Sequence, residues 1–271
     1  MENEKFMKQY KKQILEEFEK QDRKGLYAFT QKYMAYNSNK IEGSTLTSEQ
    51  TASLFDTGTF YSEKDCTYKS QDIEEMNGHF KMFNEILKNL DVDLSIEIIK
   101  AFHFQLKIGV FFDKINGYAV GDFKKRINYV SDITTALPQD VPERINNLLA
   151  KYNTGNRDLI DMAMFHAEYE HIHPFQDGNG RTGRAILFKQ CLDSNIIPVI
   201  IKNEDKTKYR AMLHIAQTEG NYEKLYEFFK EQQDKYFLSI SNYVITNNEN
   251  FVNKTISKKR DEKPKIQSMK K

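Results

Sequence analysis

His173-Pro174-Phe175-Gln176-Asp177-Gly178-Asn179-Gly180-Arg181-Thr182-Gly183-Arg184 gathers a histidine, an aspartate, an asparagine, three glycines and two arginines into one short stretch. A histidine can be neutral near pH 7, so His173 is able to take a proton from a hydroxyl. Asp177 is a hard oxygen donor of the kind Mg²⁺ accepts, since Mg²⁺ prefers one or two carboxylates plus substrate phosphates. A glycine-bearing loop that runs into a helix presents backbone N–H groups and a positive dipole end, which makes it an anion site. Arg181 and Arg184, three apart on one helical face, add planar fork donors suited to phosphate oxygens. Taken singly, such residues serve packing or turns. Together they describe a cradle for nucleotide phosphates with a general base at its mouth.

Two helices must position this stretch. Before it, Arg157 to His171 has apolar residues at Leu159, Met162, Ala163, Phe165 and Ala167. After it, Arg181 to Leu192 continues through Ala185, Ile186, Phe188 and Leu192, again with helical spacing. Pro174 ends the first helix because it lacks an N–H and restricts the residue before it. Gly178 and Gly180 allow the turn into the second.

The stretch resembles, position by position, the signature of the Fic family, His-x-Phe-x-(Asp/Glu)-Gly-Asn-Gly-Arg-x-x-Arg. Upstream, Ser38-Asn39-Lys40-Ile41-Glu42-Gly43 resembles the family's inhibitory helix, (Ser/Thr)-x-x-x-Glu-(Gly/Asn), placed as in the subclass with an N-terminal inhibitory segment. The resemblance extends over roughly residues 26 to 232. It implies an all-α fold: a Fic-type helical bundle with one β-hairpin flap over the active site. It also implies adenylylation, the transfer of AMP from ATP to a Tyr, Ser or Thr hydroxyl of a protein, with Mg²⁺ as cofactor.

In that reading His173 deprotonates the target hydroxyl and Asp177 holds Mg²⁺ on the phosphates. Backbone N–H groups from Gly178 to Gly180, with Asn179, hold the α- and β-phosphates. Arg181 assists them, Arg184 takes the γ-phosphate, and Thr182 and Gly183 complete the nucleotide-binding stretch. On the flap, Val130, Ser131, Asp132 and Ile133 lie near the nucleotide and the incoming target side chain, and Tyr209 helps enclose the adenine. A Glu42–Arg184 pair keeps the γ-phosphate out. Ser38 is then the N-cap of a short inhibitory helix and Gly43 its end. The pair Gly180-Arg181 separates the chain from the Doc-like branch, whose members transfer a phosphate.

Three rival functions follow from the same residues: removal of AMP by the same site, transfer of another nucleotide or phosphate-bearing group, and a non-catalytic nucleotide-binding interaction module. The target protein is not written in the sequence. The 15 tyrosines and many Ser and Thr residues keep self-modification open, and a homodimer that shields the inhibitory segment is compatible with the residues.

The chain has 271 residues, 39% of them hydrophobic and 29% charged, which is ordinary for a soluble globular protein able to bury a substantial core. With only 12 Gly and 5 Pro, long helices and few loops are expected. A net charge of +1 gives no bulk electrostatic reason to expect nucleic acid or a membrane as partner. Cys66 and Cys191 have no metal spacing. The charged N-terminus lacks a signal-peptide core, and Ile196 to Ile201, the longest apolar run, is too short to cross a bilayer. A soluble, cytoplasmic protein is therefore expected. His166, His171 and His173 lack the His-Glu-x-x-His spacing of a zinc helix.

Along the chain, residues 1–25 hold an N-terminal amphipathic helix with Phe6, Tyr10, Ile14, Leu15 and Phe18 on one face. Residues 26–246 form the Fic domain, with the inhibitory segment at 38–43. Helices are expected over Leu26 to Tyr36, Thr47 to Phe55, Gln71 to Leu90, Ser95 to Leu106, Val141 to Tyr152, Glu204 to Glu219 and Tyr222 to Val244. Gly117 to Thr134 reads as the hairpin. Residues 247–271, Asn- and Lys-rich, read as a basic disordered tail.

Overall fold

The computed structural model describes residues 2–62, 67–130 and 133–244. Ser131, Asp132, Cys66 and the tail expected over residues 247–271 lie outside the described residues, and so does the Val130 side chain. The described chain is all-α apart from one short hairpin, as expected. Its helices are α1 (Glu2–Glu19), α2 (Leu26–Ile41), α3 (Ser48–Thr57), α4 (Ser70–Lys88), α5 (Ile96–Lys107), α6 (Phe111–Ile115), α7 (Val141–Thr154), α8 (Leu159–Ile172), α9 (Asn179–Asp193), α10 (Lys206–Glu219) and α11 (Glu223–Ile240). No described helix is long and apolar enough to cross a membrane.

The axis of the bundle is α9. It is buried on every side from Arg181 to Leu192 and packs against α8, α4, α5 and α2. A helix enclosed in this way needs partners that approach closely, and Gly183 permits it. A Cβ on Gly183 would lie 2.3 Å from Glu170 Oε1 and 3.1 Å from the Tyr169 ring of α8. A Cβ on Gly78 of α4 would overlap the Leu106 carbonyl of α5 at 1.9 Å. The N-terminal helix joins the same core: Phe6, Met7, Tyr10 and Ile14 are buried, and the Tyr10 hydroxyl meets that of Tyr236 at 2.9 Å.

Local signals set several boundaries. Thr47 and Gln50 form a reciprocal capping box at the start of α3, and Gly58 ends it in the left-handed region, as capping chemistry favours. Asp158 caps α8 through the Asp161 N–H. α8 ends on His173 itself, in the left-handed conformation at φ 52°, ψ 61°. This is an uncommon state for a residue other than glycine or asparagine.

Two expectations need correction. The segment around Ser38 is not a separate helix, because α2 runs unbroken from Leu26 to Ile41 and Ser38 lies within its last turns. Glu42 is the C-cap and Gly43 follows at φ 93°. No residue between Tyr36 and Ser38 breaks the helix, so propensity carries it through. The hairpin is also shorter than expected. Its ladder pairs only Tyr129 with Thr134 and Val130 with Ile133. The chain from Gly117 to Asn128 bonds to the loop between α8 and α9 instead: Lys124 N–H donates to the Pro174 carbonyl at 2.8 Å, and Asn128 Nδ2 donates to the Phe175 carbonyl at 2.8 Å.

Candidate active site

The loop between α8 and α9 is fixed from beneath. Asn179 clamps the Phe175 backbone from both sides, accepting from its N–H at 2.7 Å and donating to its carbonyl at 2.8 Å. The Phe175 ring is fully buried and stacks on His103 of α5 at 3.8 Å. Gly121 N–H donates to His103 Nδ1 at 2.9 Å, so the His103 proton sits on Nε2 and is donated to the Asp177 carbonyl at 3.0 Å. Burial holds His103 at about 3, well below the usual 6.5. It is a neutral strut.

His173 projects from this braced loop into a cleft. Burial lowers it to about 4, helped by the nearby Lys124 ammonium, so the imidazole is neutral across the physiological range and free to accept a proton. Lys124 is itself buried, bonded to Asn128 Oδ1 at 2.6 Å, Thr135 Oγ1 at 3.1 Å and the Ile172 carbonyl at 3.3 Å. It ties the hairpin root to the end of α8.

The cleft has two lobes. One, of about 210 Å³, is lined by Asn39, Glu75, Asp177, Gly178, Asn179, Gly180 and Arg181. The other, of about 510 Å³, is lined by Ile133, Glu170, Arg184, Tyr209, Arg210 and Leu213. Glu42, His173 and Gly180 border both. The first lobe ends on the α9 N-terminus, whose first N–H groups have no partner within the helix. A Cβ on Gly180 would lie 2.4 Å from Glu42 Oε1, so a side chain here would have to displace the Glu42 carboxylate.

Glu42 divides the lobes by bonding Arg184. Its Oε1 accepts from Arg184 Nη2 at 2.6 Å, while Ser38 takes the same guanidinium through its hydroxyl and its carbonyl, each at 3.0 Å. Burial acts to raise the Glu42 carboxyl, but Arg184 and Arg181 outweigh it and hold it below the usual range. Its side chain keeps 34% of its surface open, against 5% for Arg184.

Asp177 is held differently. Lys107 of α5 reaches its Oδ2 at 2.6 Å and Arg181 reaches the same oxygen at 3.5 Å. Burial alone would raise this carboxyl, but Arg181 and Lys107 hold it down at about 2. Glu75 of α4 pairs with both cations, with Lys107 at 2.6 Å and also with Arg181. Asp113 of α6 adds a contact to Lys107 at 3.0 Å. Lys107 has no exposed surface, whereas 42% of the Asp177 side chain faces the cleft. One carboxylate with an oxygen left clear of the cations fits Mg²⁺, which takes few protein ligands and completes its shell with phosphates and water.

The residues singled out in the sequence thus divide. His173, Asp177, Gly178, Asn179, Gly180, Arg181, Arg184, Glu42, Gly43, Ile133 and Tyr209 line the cleft. Tyr209 is buried, with its hydroxyl on His166 Nε2 at 2.8 Å. Thr182 and Gly183 line neither lobe. Thr182 bonds back to the Gly178 carbonyl at 2.9 Å, and Gly183 is the close contact with α8. The Asn179 side chain is committed to Phe175, so it can offer a phosphate only its backbone N–H. Arg181 is 3% exposed and turned onto Glu75, so its charge reaches the cleft mainly by bracing Asp177. Sequence reasoning missed Lys107, Glu75, His103, Lys124, Asn128 and Glu170. Glu170 is a buried carboxyl pushed up to about 8 by burial. Its one available signal is its place a turn before His173 on α8.

A helical bundle that presents this loop at a helix N-terminus, with a neutral histidine beside it, defines the class. Residues 93–191, from the turn before α5 into α9, match the Fic/DOC family. The chain is 28% identical over 200 residues to protein adenylyltransferase Fic of Aedes aegypti, covering 72% of this chain and 39% of that protein. To the Drosophila willistoni protein of the same name it is 29% identical over 204 residues, covering 74% and 39%. The chain therefore spans about two-fifths of the length of these curated relatives. Its fold is similar to a Fic domain containing signaling protein from Bacteroides thetaiotaomicron, with a TM-score of 0.68 at 21% identity over 90% of this chain and 96% of that one. Residues 134–508 of Fic-1 from C. elegans give a TM-score of 0.65 at 21% identity over 96% and 74%.

Proposed function

We propose that this protein transfers AMP from ATP to a hydroxyl side chain of another protein, or of itself, and that Glu42 restrains the reaction. The observation that carries the reading is His173, held neutral at the junction of two lobes, one ending on the α9 N-terminus and the other on Tyr209. The relatives' name, protein adenylyltransferase, supports it.

Each role follows from position. The larger lobe, with Ile133, Leu213 and Tyr209, takes the nucleoside. The phosphates lie against the N–H groups of Asn179, Gly180 and Arg181, which are oriented before substrate arrives and stabilise developing charge without reorganising. His173 takes the proton of the attacking hydroxyl. The pyrophosphate leaves as the oxygen–phosphorus bond to the target forms, so charge builds toward Asp177 and the arginines. Mg²⁺ held by Asp177 would supply counter-charge for that leaving group. Arg184, turned onto Ser38 and Glu42, is not free to take the γ-phosphate, and ATP then sits in a non-productive pose. A charge-assisted bond of this kind is worth about 1.5–3 kcal/mol, reduced because Glu42 is partly exposed. This corresponds to roughly ten- to hundredfold in rate.

Labelled ATP tests the proposal directly. Label from the α-position only, stronger in Glu42→Gly and lost in His173→Ala, is the expected result. Label from the γ-position would mean a kinase, and equal labelling by wild type and Glu42→Gly would remove Glu42 from the reading.

A further inference from the structure

Lys107 has no part in the reading above, yet its ammonium sits among three carboxylates. Glu75 Oε1 lies at 2.6 Å, Asp177 Oδ2 at 2.6 Å and Asp113 Oδ2 at 3.0 Å. Three helices and the loop converge on it. Glu75 comes from α4, which lies close because Gly78 leaves room for the Leu106 carbonyl. Asp113 comes from α6, and Asp177 from the loop itself. A lysine is almost never fully buried unless it is paired, and here the pairing is threefold.

The arrangement has a consequence for any polyphosphate in the cleft. An unpaired Asp177 would repel a nucleotide's phosphates, and a divalent ion would be required to bridge them. With Lys107 at 2.6 Å and Arg181 at 3.5 Å both on Oδ2, the aspartate's charge is partly offset from behind, and its other oxygen is left toward the cleft. We infer that Lys107 is a resident counter-cation for Asp177, a positioning residue that makes nucleotide binding at this site only weakly dependent on divalent metal.

This rests on the nucleotide reading, and the test separates the two. The affinity of the full chain for α,β-methylene ATP is measured by calorimetry in excess Mg²⁺ and in excess EDTA. In the wild type the two dissociation constants should differ by less than about fivefold, the low end of typical coupling between two ligands. In Lys107→Met the ratio should grow by about tenfold or more, nearly all of it from weaker binding in EDTA, because the aspartate facing the phosphates then keeps only the longer Arg181 contact at 3.5 Å. Lys107→Met leaves Glu75 and Asp113 short of a partner, so Lys107→Met/Asp113→Asn, which removes one charge of each sign, should fold and show the same rise. Asp177→Asn should bring the ratio close to one whether or not Lys107 is present. Ratios in both Lys107 variants within twofold of wild type would overturn the inference while leaving the nucleotide reading intact. No binding by wild type in either buffer would overturn both.

Discussion

Two arginine-centred charge clusters flank the first turn of α9, and they are built on opposite plans. At Arg184 the carboxylate partner is one residue, Glu42, supplied by the C-terminus of α2 and open to the cleft over 34% of its side chain. At Arg181 the partners are Glu75 and Asp177, with Lys107 and Asp113 behind them, and Lys107 has no exposed surface. A single half-open pair can be exchanged for a ligand at modest cost. A buried multi-charge network cannot lose one member without stranding the others, which costs about 3–5 kcal/mol. The same guanidinium chemistry thus stands in a half-open pair on one side and in a buried network on the other.

Several measurements would break or sharpen this contrast. The largest effect is expected at His173: if it is the general base of the proposed reaction, His173→Ala should lower AMP transfer by about 10²–10⁴-fold, the usual range for general-base removal. Glu42→Gly should raise the transfer rate by roughly ten- to hundredfold with little change in melting temperature. A substitution that both activated and strongly destabilised would place Glu42 with the framework instead. Gly183→Ala tests the α8–α9 contact. Its methyl would meet Glu170 and Tyr169, and overpacking of this kind costs about 1–3 kcal/mol, or a fall of several degrees in thermal melting.

The pH dependence follows with a worked sign. His79, His103 and His166 are held at about 3 and His173 at about 4, chiefly by burial. Their ordinary value is 6.5, so below that pH the unfolded chain binds more protons than the folded one, and stability falls as pH drops from 6.5 toward 3. Denaturant melts at pH 7 and pH 5 check this. In Glu42→Gly, the transfer rate should show no His173-dependent loss down to about pH 5 and should decline toward pH 4 as the imidazole takes its proton. An acid limb centred near 6.5 would mean that His173 is solvated during turnover.

Much of the site was legible because the His173–Arg184 stretch is contiguous, and so were the helices that carry it. The Glu42–Arg184 contact, 142 positions apart, could be anticipated only because a second short motif marks its other end. Lys107 carries no such mark. It lies between Leu106 and Ile108 near the end of α5, where a lysine ordinarily caps a helix in water. The structure inverts that expectation by burying His103 and Lys107 on the inner face, while Phe104 and Ile108 stay 41% and 50% exposed. Periodicity does not reveal this, since His103 and Lys107 share the buried face with Ile99, Phe102 and Leu106. The expected hairpin over Gly117 to Thr134 is too long for a related reason: Lys124 and Asn128 fall inside that span, but their bonds go to Pro174, Ile172 and Phe175.

The C-terminal end of α2 sets how the Arg184 contact can open. The helix is anchored far from the site, where Thr30 bonds the Tyr236 hydroxyl at 2.7 Å and Gln31 donates to Asn84 at 2.8 Å. It therefore does not swing as a rod. What holds Glu42 in place is the final turn, closed by Glu42, Gly43 and Ser44 N–H groups on the Asn39 and Lys40 carbonyls. Unwinding that turn is a helix-fraying event, whose intrinsic relaxation is sub-microsecond, so parting Glu42 from Arg184 needs only local fraying, while Ser38 keeps its own two bonds to the guanidinium. Amide hydrogen exchange should report it as weak protection confined to residues 42–44, beside strongly protected neighbours earlier in the same helix.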